Sequence, residues 1–150
     1  MSIIGKLVVG AAMAFAATTA QASDSARLEK NKETIVKFYN KFLNEKDIDA
    51  AVAMIGPTYK QHNAFIKDGK DGFREFFIDL KKKYPHLQTK IIRVFAEGDF
   101  VILHVHTIRE PGTRGEAIMD IFRLEDGKPV EHWDVIQPIP ENIPHNNTMF

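Results

Sequence analysis

Half-way along the chain the apolar period changes from helical to alternating, and this change limits the fold more than any single residue does. In the first half, Ile35, Phe38, Tyr39, Phe42 and Leu43 recur at helical spacing from Leu28 onward. Asp47 is placed to cap a short second helix carrying Ile48, Ala51, Val52 and Ile55, which Gly56-Pro57 ends. A loop, "TYKQHNAFIKDGK", leads to a third helix that Asp71 is placed to cap. Its apolar stripe is Phe73, Phe76, Phe77, Leu80 and Tyr84, and it closes before Pro85. In the second half, "LQTKIIRVFAE", "DFVILHVHTIRE", "RGEAIMDIFRLE" and "KPVEHWDVIQ" are rich in β-branched and aromatic residues. Gly98-Asp99, Pro111-Gly112 and Asp126-Gly127 mark turns near their junctions. Helices followed by an antiparallel meander predict an α+β fold, with three helices laid on one face of a curved sheet of four or more strands. The tail "PIPENIPHNNTMF" is predicted to be irregular.

The N-terminus reads as a separate segment. Lys6 precedes an apolar run from Leu7 to Ala17, and Ala20-Gln21-Ala22 fits the small-x-small cleavage pattern of a secretory signal peptide. The run is shorter than the roughly 20 residues of a membrane span. The expected organisation is therefore a signal peptide over 1–22 and one domain over 23–150. The mature protein is expected to be secreted, most simply to a bacterial periplasm, with no membrane association after cleavage. Basic and acidic residues balance at 20 each, which disfavours a nucleic-acid partner because such proteins present a basic patch. The absence of cysteine removes disulfides, a thiol nucleophile, thiolate metal sites and a lipid anchor on Cys.

The last hairpin, "MDIFRLEDGKPVEHWDV", carries acids inside apolar strands, where a carboxylate is costly unless it is hydrogen-bonded, paired or protonated. A two-residue turn at Asp126-Gly127 sets Glu125 opposite Lys128. Counting outward then sets Phe122 opposite Glu131 and Asp120 opposite Trp133. In this register one face carries Ile118, Asp120, Phe122, Glu131, Trp133 and Val135. The other carries Met119, Ile121, Arg123, Val130, His132, Asp134 and Ile136. A slip of one residue would exchange the two sets. Both faces are largely apolar, so a partner subunit is expected to cover the face that the helices leave open.

Candidate chemistry centres on Asp120. His104 and His106 share a face because side chains alternate along a strand. The length of the turn at "REPGTR" decides whether that face is also the face of Asp120. An imidazole beside a carboxylate is a usable acid/base pair near neutral pH; the same pair is equally an ordinary hydrogen-bonded core contact. His62, in "YKQHN", lies where the chain should skirt the mouth of the sheet. Trp133 offers a wall for a flat or apolar ligand, or simply core. His104, His106 and Asp120 could share a metal ion, but neither HExxH nor a close acidic cluster supports one, and no metal is expected. "DGKDG" lacks the Lys-Ser/Thr ending of a phosphate-binding loop, and no G-x-S-x-G elbow is present.

The strings "YKQHN", "DG" ahead of a Phe-rich helix, "MDIFRLEDGKPVEHWDVIQ" and the terminal "NTMF" resemble the SnoaL-like polyketide cyclase family. The resemblance is to its predicted aldol-condensation-type branch, within the nuclear-transport-factor-2-like superfamily. It covers about the whole mature chain and implies a cone in which a curved sheet wraps around helices and leaves a deep apolar pocket. It also implies homodimers formed through the sheet, no cofactor, and an acid/base role for Asp120 with His106 nearby.

Taken together, these features lead us to expect a cofactor-independent acid/base enzyme acting on a small apolar carbonyl compound by cyclase-like or isomerase-like chemistry. Asp120, His106, His62 and His104 are its expected catalytic residues. Trp133, Phe122, Glu131, Val135 and Ile118 are its expected ligand contacts. The alternative is a small-ligand-binding or scaffold protein with the same cone and no chemistry.

Overall fold

The computed structural model describes residues 7–150, with side chains from Asp24 onward. The expected signal segment, residues 1–22, therefore lies outside the residues whose side chains are described. No helix among the described residues is long and apolar enough to cross a membrane.

Three helices, α1 (Leu7–Leu43), α2 (Ile48–Met54) and α3 (Gly69–Lys83), pack against one face of a five-stranded sheet. The strands are β1 (Lys60–Gln61), β2 (Gln88–Glu97), β3 (Phe100–Ile108), β4 (Glu116–Glu125) and β5 (Lys128–Pro138). Their spatial order is β1-β5-β4-β3-β2. All neighbours are antiparallel except β1, which runs parallel to β5 and makes it an interior strand. This is the α+β arrangement expected from the change of period, with Lys60 and Gln61 adding a short edge strand.

The helical stripes form the core as expected. Ile35, Phe38, Tyr39, Phe42 and Leu43 of α1 are buried against Phe73 of α3 and the inner faces of β3 and β4. Phe38 sits between Phe73 and Phe122, with ring centroids 5.5 and 5.8 Å away. Asp47 caps α2 by accepting the Ala50 N–H at 3.1 Å. The start of α3 differs from the expectation: Asp68 holds the N-cap position, and Asp71 lies within the first turn. Asp68 does not cap the helix with its side chain. It accepts the Gln61 N–H at 2.7 Å instead, tying α3 to β1.

The β4–β5 register begins as expected and then shifts. Glu125 pairs with Lys128 and Leu124 with Pro129, but Arg123 pairs with Glu131, so Val130 is an extra residue in β5. Beyond this bulge Phe122 faces His132 and Asp120 faces Asp134, not Glu131 and Trp133. Pro129 and Val130 are both buried, as adjacent bulge residues can be. Proline lacks an N–H for the ladder and is confined to edges, strand starts and bulges. The α2 end packs on this irregularity: the Gly56 N–H donates to Pro129 O, and a Cβ on Gly56 would stand 2.5 Å from Val130 Cγ1.

Candidate active site

Because side chains alternate, the one-residue bulge reverses the assignment of β5. His132 and Asp134 turn inward beside Asp120, while Glu131, Trp133 and Val135 turn outward. In β3 the buried residues are Val101, Leu103, Val105 and Thr107, and Leu103 lies opposite Asp120. His104 and His106 therefore project to the outer face. There His104 Nδ1 meets Arg93 Nη1 at 2.9 Å, and His106 Nε2 donates to Arg114 O at 2.8 Å. The ring of Phe150 packs on both imidazoles.

His62 is outside as well. It stacks on Trp133 at 4.6 Å with rings nearly parallel, and its Nε2 is 2.9 Å from Glu131 Oε1. None of His62, His104 and His106 thus reaches Asp120, and the trio weighed for a metal ion from the sequence is split across the sheet. Among the expected ligand contacts, Phe122 and Ile118 line the interior cavity, whereas Trp133, Glu131 and Val135 belong to the outer face.

The interior holds a small cavity of about 60 Å³ between the helices and the sheet. Its walls are mainly aromatic and aliphatic, including Phe42, Phe73, Phe76, Ile118 and Phe122. Polar groups gather where β1, β4 and β5 meet α1. Tyr39 O–H donates to Asp120 Oδ2 at 2.9 Å, and His132 Nε2 lies 3.1 Å from Asp120 Oδ1. His132 Nδ1 lies 2.8 Å from Gln61 Oε1, which also accepts the Asn63 backbone N–H at 2.9 Å. Asn63 Nδ2 in turn donates to Asp134 Oδ2 at 2.6 Å.

This network fixes the proton inventory. A backbone donor identifies the Gln61 atom as the acceptor oxygen, so His132 carries a proton on Nδ1. The contact between Nε2 and Asp120 then holds one further proton, either on the carboxyl or on the imidazole. Burial pushes the Asp120 carboxyl above the ordinary Asp value of 3.8, opposed by the hydrogen bond and charge of His132 and the bond from Tyr39. Asp134 adds to the upward push by like-charge repulsion. Burial, reinforced by Asp120, also holds the Tyr39 and Tyr59 phenols well above their usual range, so both remain donors.

Asp120, His132 and Asp134 each bring one ligand atom within 4.8 Å of the other two, a spacing that could also suit a divalent cation. The hydrogen bonds already described occupy the same groups. The sequence offered one sign of this site: Pro129, two residues after a tight turn, is a residue that strands admit at breaks in register, and such a break turns "H-x-D" inward.

With this geometry in view, comparison with known proteins places the chain. Residues 35–132 match the SnoaL-like domain family, and the chain belongs to it. Solved structures agree on the fold. A cystatin-fold protein from Novosphingobium aromaticivorans aligns with TM-score 0.62 at 19% identity, covering 70% of this chain and 97% of that one. A Bacillus cereus protein provisionally named a polyketide cyclase gives 0.62 at 17%, covering 71% and 74%. A Streptomyces laurentii protein, TsrD, gives 0.59 at 19%, covering 71% and 87%. No curated protein matches the sequence.

Proposed function

We propose that the interior site carries out cofactor-independent acid/base chemistry on a small, largely apolar carbonyl compound, of the aldol-condensation or isomerase kind. The observation that carries this reading is the Asp120 carboxyl, buried at the polar end of an apolar cavity and held between Tyr39 and His132. A carboxylate in such a place gains basicity from desolvation. It can take a proton from the carbon next to the substrate carbonyl and return it to the product. His132 can share that proton through Nε2 while Gln61 keeps its other nitrogen protonated. Tyr59, whose hydroxyl has no hydrogen-bond partner among the described residues, lines the same cavity and can donate to the oxyanion that forms. His132 thus takes the place beside Asp120 that the family resemblance gave to His106.

The cavity is far smaller than the 300–1,000 Å³ of typical ligand pockets, so a substrate must displace side chains to enter. The test is hydrogen–deuterium exchange at carbons next to the carbonyl, followed by NMR across a panel of ketones. Positioned acid/base catalysis is worth roughly 10²–10⁴-fold, and Asp120→Asn should lose it. Exchange that survives the substitution within a few-fold would remove the catalytic role and leave a ligand-binding protein with the same cone.

A further inference from the structure

We infer that Arg109 is the anion-binding residue of this site, so that the ligand is an elongated carbonyl compound carrying a carboxylate at the end remote from the carbonyl. The inference rests on the proposed acid/base reading for the carbonyl end alone. Arg109 continues the inward-facing series Val101, Leu103, Val105 and Thr107 just past the end of β3, and it is the only Lys or Arg among the residues lining the interior cavity. It also lines the open groove of about 850 Å³ between the Glu110–Glu116 loop and the tail segment containing Pro138, Ile139 and Glu141. One arginine therefore borders both spaces.

The side chain is held but not used up. Arg109 Nε donates to Glu116 Oε2 at 2.7 Å, and the guanidinium lies 5.7 Å from the Tyr84 ring centroid. Arginine has five N–H donors in a planar fork. Its Nη1 and Nη2 have no partner among the described residues, and this terminal pair suits a carboxylate in bidentate geometry. Glu116 and Tyr84 fix the fork without occupying that edge.

The placement also sets ligand length. Leu103 pairs with Asp120, and Arg109 lies about 20 Å further along β3 at ordinary strand rise. The long arginine side chain shortens this span to a distance that an extended chain covers once it displaces the side chains filling the cavity. A neutral compound of the same shape would forgo the charge-assisted bonds to the fork.

The probes are 8-oxononanoate and its methyl ester, titrated calorimetrically into the full chain. The acid should bind about tenfold more tightly than the ester. Arg109→Met should abolish this preference by weakening the acid alone, and Glu116→Gln, which removes the negative charge beside the bound carboxylate while its amide oxygen can still accept from Arg109 Nε, should strengthen acid binding several-fold. Failure to observe an acid-over-ester preference, or a preference that survives Arg109→Met, overturns the inference. If Arg109→Met fails to fold, unchanged acid affinity in Glu116→Gln overturns it equally. The two readings fail separately. Loss of exchange in Asp120→Asn without any acid preference removes only Arg109, and an acid preference with exchange indifferent to Asp120 removes only the acid/base role.

Discussion

His132 Nε2 and Asp120 Oδ1 lie 3.1 Å apart on neighbouring strands, in an interior where Tyr39 and Gln61 hold the far side of each group. One proton serves both residues. That relationship depends on Val130, the bulged residue that turns His132 inward.

Asp120 makes stability depend on pH with an unusual sign for a carboxylate. Its folded-state pKa lies above the ordinary value of 3.8, chiefly through burial, so the folded chain binds this proton more readily than the unfolded one. The stabilisation is complete below the ordinary value and is lost as pH rises through the raised one. Asp120→Asn cannot ionise. Wild-type stability relative to the variant should therefore fall across that window, measured by urea unfolding at a series of pH values. A constant difference between the two proteins would contradict the buried-carboxyl account.

Glu131 should behave in the opposite way. His62 first and Arg123 second, through hydrogen bonds, hold its carboxyl below the ordinary range. Its contribution is present above that range and disappears as pH falls through the lowered value. Glu131→Gln should cost about 1.5–3 kcal/mol at neutral pH, the usual worth of charged hydrogen bonds. The cost should shrink in acid, and thermal melts at neutral and acidic pH would reveal it.

The outer sheet face presents Phe95, Phe100, Met119 and Val135 to solvent, with Val135 72% exposed. A second copy packing there would form the homodimer proposed for this chain, provided it buries the roughly 800 Å² per partner of a standard interface. Val135→Lys should convert dimer to monomer in sedimentation velocity. A wild-type protein that sediments as a monomer at every concentration would refute the dimer.

Export is proposed from the N-terminal segment. Intact mass and N-terminal sequencing of protein recovered from a bacterial periplasm should show a chain starting at Ser23. Recovery of the chain only in the cytoplasm, with its first residues intact, would refute export and cleavage.

The sequence by itself determined the three helices, the four long strands and the class of fold, though not the short edge strand β1. The stripe Ile35, Phe38, Tyr39, Phe42 had to be buried, Asp47 had to cap, and Asp126-Gly127 had to turn, because each is a local consequence of side-chain period or backbone preference. It also singled out Asp120 as an acid in an apolar strand. Only the tertiary structure decided what surrounds that acid. Strand faces alternate with period two, so the single extra residue at Val130 exchanged Trp133 and Glu131 for His132 and Asp134. The connection from β3 to β4 left His104 and His106 outside. Neither outcome follows from local propensity, since register is set by pairing between distant segments; Pro129 was the one residue that hinted at the break.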